Sequence, residues 1–179
     1  MFMFLKKIFQ IFSTSQRPEN LQCISVFETK MLSARLSSNM FGSVNSSPLR
    51  RLVAQQMGFI LVEETDEKKK KARTRIKDDA DGSKEKILTR YINSGYWSWR
   101  NFSTLDASQN FRVFASRQLN PLLGKENDSD QISEISVHKD WIGRFDQKQR
   151  LNRDELDVLP NTPAVVAFFH QSAPKKFRR

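Results

Sequence analysis

The 179-residue chain is poor in the residues on which most protein chemistry is built: it has one cysteine and two histidines. A lone Cys23 excludes an internal disulfide, which suits a reducing compartment or the mitochondrial matrix and not a disulfide-stapled secreted module. Cys23 also lacks a neighbourhood that would activate a thiolate. His138 and His170 have no second His or Cys at metal-ligand spacing, so the close ligand pairs of a zinc site are missing. Glycine is sparse as well. Gly82, Gly95, Gly124 and Gly143 stand singly, which excludes a phosphate-cradling loop and a dinucleotide fingerprint. Carboxylate pairs such as Asp154-Glu155 are ordinary in charged helices. No catalytic constellation, metal site or cofactor motif can be read, and the chain is expected to be a non-enzyme with no cofactor.

Long hydrophobic runs are absent too. No stretch of about 18 apolar residues occurs, so a transmembrane span is not expected. Hydrophobic residues make up 38% of the chain, a low share for a core drawing on the whole length. The 14 Phe and 3 Trp nonetheless oppose full disorder. A small folded part with loose sequence around it is the expectation.

Positive charge is what the chain has in excess. Its net charge of +10 points to an anionic partner: RNA, DNA or an acidic membrane surface. Residues 1–60 carry seven basic and two acidic side chains, and the remaining residues carry 23 and 18. Half of the excess therefore sits in the first third of the chain. Between Met31 and Ile60 there is no Asp or Glu, while Arg35, Arg50, Arg51 and six serines are present. Acid-poor, Ser-rich, Arg-bearing amphipathic segments are what organelle import machinery recognises. Met1–Phe12, apolar except for Lys6, Lys7 and Gln10, fits an organelle-directed or membrane-surface helix. Ser47-Pro48 opens a second helix with Leu49, Leu52, Val53, Met57 and Ile60 along one stripe, and Gly58 is its terminator. Translation from Met1 and from Met31 are both open.

Residues 1–60 are accordingly expected to be a targeting and amphipathic region. Residues 61–82, with acidic, basic and acidic blocks in tandem and no apolar face, read as a charged flexible linker. Residues 83–159 read as a small helical, aromatic-rich body. Ile87, Leu88, Tyr91 and Ile92 share a helical face ending near Gly95. Tyr96-Trp-Ser-Trp99 alternates as a short extended piece with both indoles on one side. A second helix carries Phe111, Phe114, Ala115 and Leu119 up to Pro121. Residues 160–179 comprise an apolar strand at Ala164–Phe169 and a basic tail. The class expected is mainly α, with one short C-terminal strand and weakly ordered N-terminal and linker segments.

Binding, in this reading, belongs to the cations. Lys68, Lys69, Lys70, Lys71, Arg73, Arg75 and Lys77, together with Lys175, Lys176, Arg178 and Arg179, can neutralise phosphates by counterion release, without reading sequence. The first of these runs also matches a nuclear-localisation cluster. Tyr96, Trp97, Trp99, Arg100 and Phe102 would stack on unpaired bases if exposed, but in so small a body they are expected in the core. Lys125, Glu126 and Asn127 match a KEN degradation box, and Ser47-Pro48 matches a proline-directed phosphorylation site; both patterns are short enough to arise by chance. The function expected is a non-enzymatic, basic mitochondrial accessory protein with protein partners, associated with RNA or a ribonucleoprotein. Peripheral membrane contact would come through the N-terminal helix. The alternative is a nuclear, cell-cycle-regulated interaction protein using Lys125–Asn127 as a degron.

Overall fold

A computed structural model of the chain describes residues 21–66, 71–124 and 150–176. In order the elements are β1 (Gln22–Thr29), α1 (Leu32–Phe41), α2 (Pro48–Gln56), β2 (Leu61–Asp66), β3 (Lys71–Ile76), α3 (Ser83–Asn93), β4 (Tyr96–Asn101), α4 (Leu105–Leu119), α5 (Arg153–Leu156) and β5 (Ala164–His170). Strands β1, β5 and β4 form an antiparallel sheet in that spatial order, and β2 and β3 form a separate antiparallel hairpin.

The mainly α class expected from the sequence does not hold. Helix accounts for 39% and strand for 26% of the described residues, in five strands and two antiparallel sheets, which is an α+β fold. Only the last of these strands, with a short extended piece at Tyr96–Trp99, is anticipated by the sequence. The reason is that β5 alone carries a continuous apolar run. The first six of its seven residues are buried, as a strand covered on both faces demands. Its neighbours hide their character. In β1 a bulge between Cys23 and Ser25 breaks the alternation, so that Ile24 and Val26, two positions apart, enter different cores. In β2 and β3 half of the side chains are charged, and the pairing is revealed only by the opposite signs that meet across the strands.

Helices cover the two faces of the sheet unequally. On one face Ile24, Trp97, Ala164, Val166 and Phe168 pack against Leu32, Leu36 and Met40 of α1, Leu49, Val53 and Ala54 of α2, and Leu88 and Ile92 of α3. On the other, Cys23, Val26, Val165, Ala167 and Phe169 pack against Phe111 and Ala115 of α4. Trp99 joins Trp97 on the first face, as their spacing requires. Local signals set the helix ends. Ser47 Oγ accepts from the Arg50 N–H at 3.2 Å with Pro48 at the first position, and Thr104 Oγ1 accepts from Ala107 at 3.2 Å. Gly58 takes φ +81 just after α2. Gly95 is required for a different reason: a Cβ there would collide with the Phe168 ring.

A buried polar knot ties three helices together. The Arg50 side chain is fully buried and donates to Glu85 Oε2 at 2.7 Å and Thr89 Oγ1 at 2.6 Å on α3. It also donates to the Asn39 carbonyl at 3.1 Å and the Met40 carbonyl at 3.4 Å, near the C-terminal end of α1. Those carbonyls lack partners within their own helix, so the guanidinium acts as a cap from outside. The other oxygen of Glu85 accepts the Val44 N–H at 2.9 Å, and Ser47 Oγ donates to Asn39 Oδ1 at 2.6 Å.

Residues 22–60 supply ten of the twenty side chains in the larger buried cluster of the described residues, from Ile24 through Phe59. Most of the apolar series of Met31–Ile60 therefore serves the core, while Met31, Phe41 and Ile60 stay exposed. Residues 61–82, expected to be a loose linker, contain the β2–β3 hairpin and the start of its connection to α3.

Two outcomes test this architecture. A chain beginning at Gly58 is expected to lose cooperative thermal unfolding, whereas one beginning at Leu21 is expected to keep it, as read by near-UV circular dichroism. Arg50→Ala leaves Glu85 and two helix carbonyls without their donor; it is expected to cost about 3 kcal/mol or more in denaturant unfolding.

Candidate functional site

The cations nominated by the sequence do not come together. Arg73, Arg75 and Lys77 lie on or just after β3, and Lys175 and Lys176 follow β5. Lys77 is linked through its carbonyl to Lys84 in the first turn of α3, and Ser172, just before the tail cations, is linked to Tyr91 in the last turn. Opposite ends of an 11-residue helix, roughly 16 Å apart, separate the two groups. Lys71 is placed as the first residue of β3. Lys68, Lys69, Lys70, Arg178, Arg179 and the Lys125, Glu126 and Asn127 triplet lie outside the described residues.

The hairpin cations are partly neutralised. Register places Arg73 opposite Glu64 and Arg75 opposite Val62, which puts all four side chains on one face. Arg75 pairs with Glu64 at 3.1 Å, both well exposed, and such pairs contribute little stability. The hairpin is fastened to the body by Thr74 N–H to Asn45 Oδ1 at 3.0 Å, and Lys77 N–H to the Ile60 carbonyl at 2.8 Å extends its ladder by one pair.

The end of β5 is built differently. The His170 ring stacks on Tyr91, centroids 4.1 Å apart and planes 20° from parallel. His170 Nε2 meets Ser94 Oγ at 3.0 Å, Ser94 Oγ donates to the Tyr91 carbonyl at 2.8 Å, and Ser172 N–H donates to His170 Nδ1 at 3.0 Å. Tyr91 OH donates to the Ser172 carbonyl at 2.8 Å. Nearby, the Arg150 guanidinium lies 5.0 Å from the centre of the Tyr96 ring. Arg150, Lys175 and Lys176 are exposed and have no acidic partner among the described residues. Burial holds the His170 imidazole below its ordinary pKa; a backbone hydrogen bond with Ser172 opposes this, and the Arg150 charge acts in the same direction as burial. Burial pushes the Tyr91 phenol well above its ordinary value.

Ser94 beside His170 resembles a nucleophile and its base, but the hydrogen bonds run the wrong way. A backbone N–H can only donate, so Nδ1 must present its lone pair to Ser172. The neutral ring then carries its proton on Nε2 and donates it towards Ser94, whose own proton goes to the Tyr91 carbonyl. A base must accept the hydroxyl proton at that nitrogen, with its other nitrogen oriented by an acceptor. Here both roles are reversed.

Other candidates resolve into structure. Trp97 is fully buried with its ring 4.6 Å from that of Phe168, and Arg100 lies between the Phe102 and Phe111 rings at 5.7 and 5.4 Å. The aromatic group around β4 is thus largely core. Ser47 is fully buried and bonded to Asn39, which shields it from a kinase in the folded chain. A groove of about 570 Å³ between α1 and α4 is lined by Glu28, Lys30, Arg35 and Gln109, among others. Its acid is already engaged by Gln109 at 3.3 Å and Arg112 at 3.5 Å. Among the described residues no three His, Cys, Asp or Glu side chains gather to hold a metal ion, and no helix is long and apolar enough to cross a membrane.

Sequence reasoning finds Lys175 and Lys176 but misses Arg150, Tyr91 and His170 as their surroundings. No local pattern links positions so far apart; only the β5–α3 packing does. No protein-family model, curated protein or solved structure matches this chain.

At this corner, Tyr91→Phe removes one hydrogen bond to Ser172 and is expected to cost about 1 kcal/mol in chemical denaturation. Ser94→Ala is expected to cost no more than that and to leave the His170–Tyr91 stack intact in the aromatic NMR shifts.

Proposed function

We propose that this protein is a non-enzymatic accessory subunit that binds phosphates of RNA or of a ribonucleoprotein. The observation that carries the reading is the uncompensated charge at the end of β5, where Arg150, Lys175 and Lys176 stand exposed without an acidic partner among the described residues. Tyr96, held under Arg150, and the half-buried His170 add aromatic surface beside those charges, the combination that single-stranded nucleic acid favours. The hairpin is the secondary contact, because Glu64 offsets part of its charge. Binding of this kind is electrostatic and tolerant of sequence.

We assign the protein to mitochondria. Residues 1–20 support this address, with Lys6, Lys7 and Arg17 against the single acid Glu19. Processing that leaves the fold intact must end before Gln22, where β1 begins.

The reading is tested by fluorescence anisotropy of the full chain with a labelled single-stranded RNA over a salt series. Binding should weaken linearly in log–log form. The slope should fall by roughly 0.7 for each of Arg150→Ala, Lys175→Ala and Lys176→Ala that removes a phosphate contact, and by less for Arg75→Ala. No binding at low salt, or slopes indifferent to all three substitutions, would sink it.

A further inference from the structure

The chain leaves the central strand at His170 and is fastened to α3 almost at once, through Ser172. Its carbonyl takes the Tyr91 hydroxyl proton at 2.8 Å, and its N–H is given to His170 Nδ1 at 3.0 Å, with its hydroxyl 3.3 Å from the same nitrogen. Two residues on, Pro174 is buried, and Lys175 and Lys176 then emerge into solvent. The path of the basic tail is thus set by how Ser172 is held.

The fastening depends on the protonation state of one ring. Stacking on Tyr91 and the contact to Ser94 Oγ at 3.0 Å fix the His170 plane. Nδ1 accepts from Ser172 only while it is unprotonated. A proton added from solvent goes to that nitrogen, since Nε2 already carries one in the neutral ring. Two N–H groups would then face each other across 3.0 Å.

The net effect of the surroundings is against the cation: burial outweighs a backbone hydrogen bond with Ser172 that acts in the opposite direction. From α3 the ring meets the neutral Tyr91 phenol and Ser94; from the tail it meets Ser172; across β1 its register partner is the uncharged Gln22. Arg150 adds a like charge, and no carboxylate among the described residues bonds the ring.

We propose that His170 is a proton-operated latch on the basic tail, closed when neutral and released by protonation at Nδ1, which frees Ser172 onward and with it Lys175 and Lys176. The latch rests on the phosphate-binding reading of that tail and supplies its regulation. The sign follows from the environment. The fastened ring titrates below its ordinary value, while a released ring returns towards the ordinary value of about 6.5. Protons therefore bind the released form better, and the fastened form weakens as pH falls from about 6.5 through the fastened ring's own pKa.

The experiment measures backbone 15N relaxation across residues 172–176 of the full chain, without RNA, between pH 7.5 and 5. Order parameters should fall from about 0.85 towards 0.6 or lower as the ring titrates, and His170→Gln should remove the pH dependence. A tail that stays ordered through complete titration of His170, or one that loosens with pH equally in His170→Gln, overturns the proposal. If His170→Gln frees the tail at every pH, Ser172→Pro, which deletes the donated N–H, decides. A His170 pKa that rises supports the latch, and one that stays in place overturns it. Because RNA is absent, failure here is separate from failure to bind phosphate; RNA affinity at pH 5.5 and 7.5 then shows whether a working latch is used.

Discussion

Strand β5 is the constraint on which the rest of the molecule depends. It pairs with β1 along one edge and with β4 along the other, and its first six residues are shut away from solvent. Buried backbone amides and carbonyls are costly unless paired, so β5 is stable only if both neighbours are present. Each face of the sheet needs its own cover, and that explains the unequal helices. Among the described residues, α1, α2 and α3, with Leu156 of α5, close one face, and α4 is the helix that closes the other. Even the outer edge of β1 is partly occupied, by backbone bonds from Leu122 to Cys23 and from Leu123 to Ile24. The positions of Tyr91, Ser94 and His170 follow from this arrangement, because the end of β5 can meet only the last turn of α3.

Arg50 shows how the same helices are held in register. Burying a guanidinium is expensive unless its charge and donors are answered; here α1 carbonyls, Glu85 and Thr89 answer the two terminal nitrogens from two other helices, while Nε has no partner among the described residues. In the sequence Arg50 and Arg51 look like twin surface cations of a basic amphipathic helix. Only Arg51 approaches that role, donating to the Val44 carbonyl at 2.9 Å from a half-buried position. One of the three arginines that give this segment its import-like appearance is therefore a charge that never reaches solvent.

What could be read in advance follows a physical pattern. Features fixed by neighbours in sequence were legible: the Ser47-Pro48 start of α2, the stop at Gly58, the Leu88–Ile92 face, the shared side of the two indoles and the strand character of Ala164–Phe169. Features fixed by distant partners were not. Gln22–Thr29 is a strand because β5 lies beside it, and its bulge conceals the alternation. The 61–76 region is a hairpin because Glu64 meets Arg73 and Arg75 across the strands, an opposition that looks like tandem charge blocks when read along the chain. The site divides in the same way. Basic residues announce themselves by composition, but whether an acid stands beside them is decided by the fold: Glu64 beside Arg75, and none among the described residues beside Arg150.

The pairing of Gln22 with His170 also has a bearing on biosynthesis. Strands 148 positions apart in sequence are hydrogen-bonded neighbours, so the sheet cannot close until every element between them has been made. Long-range pairing of this kind is slow, because the intervening loop entropy must be overcome before any contact compensates. Until β5 is made, β1 and the helices that follow it wait without the surface they pack on, exposed to aggregation and available to chaperones. A chain that stays open this long suits any machinery that handles unfolded polypeptides.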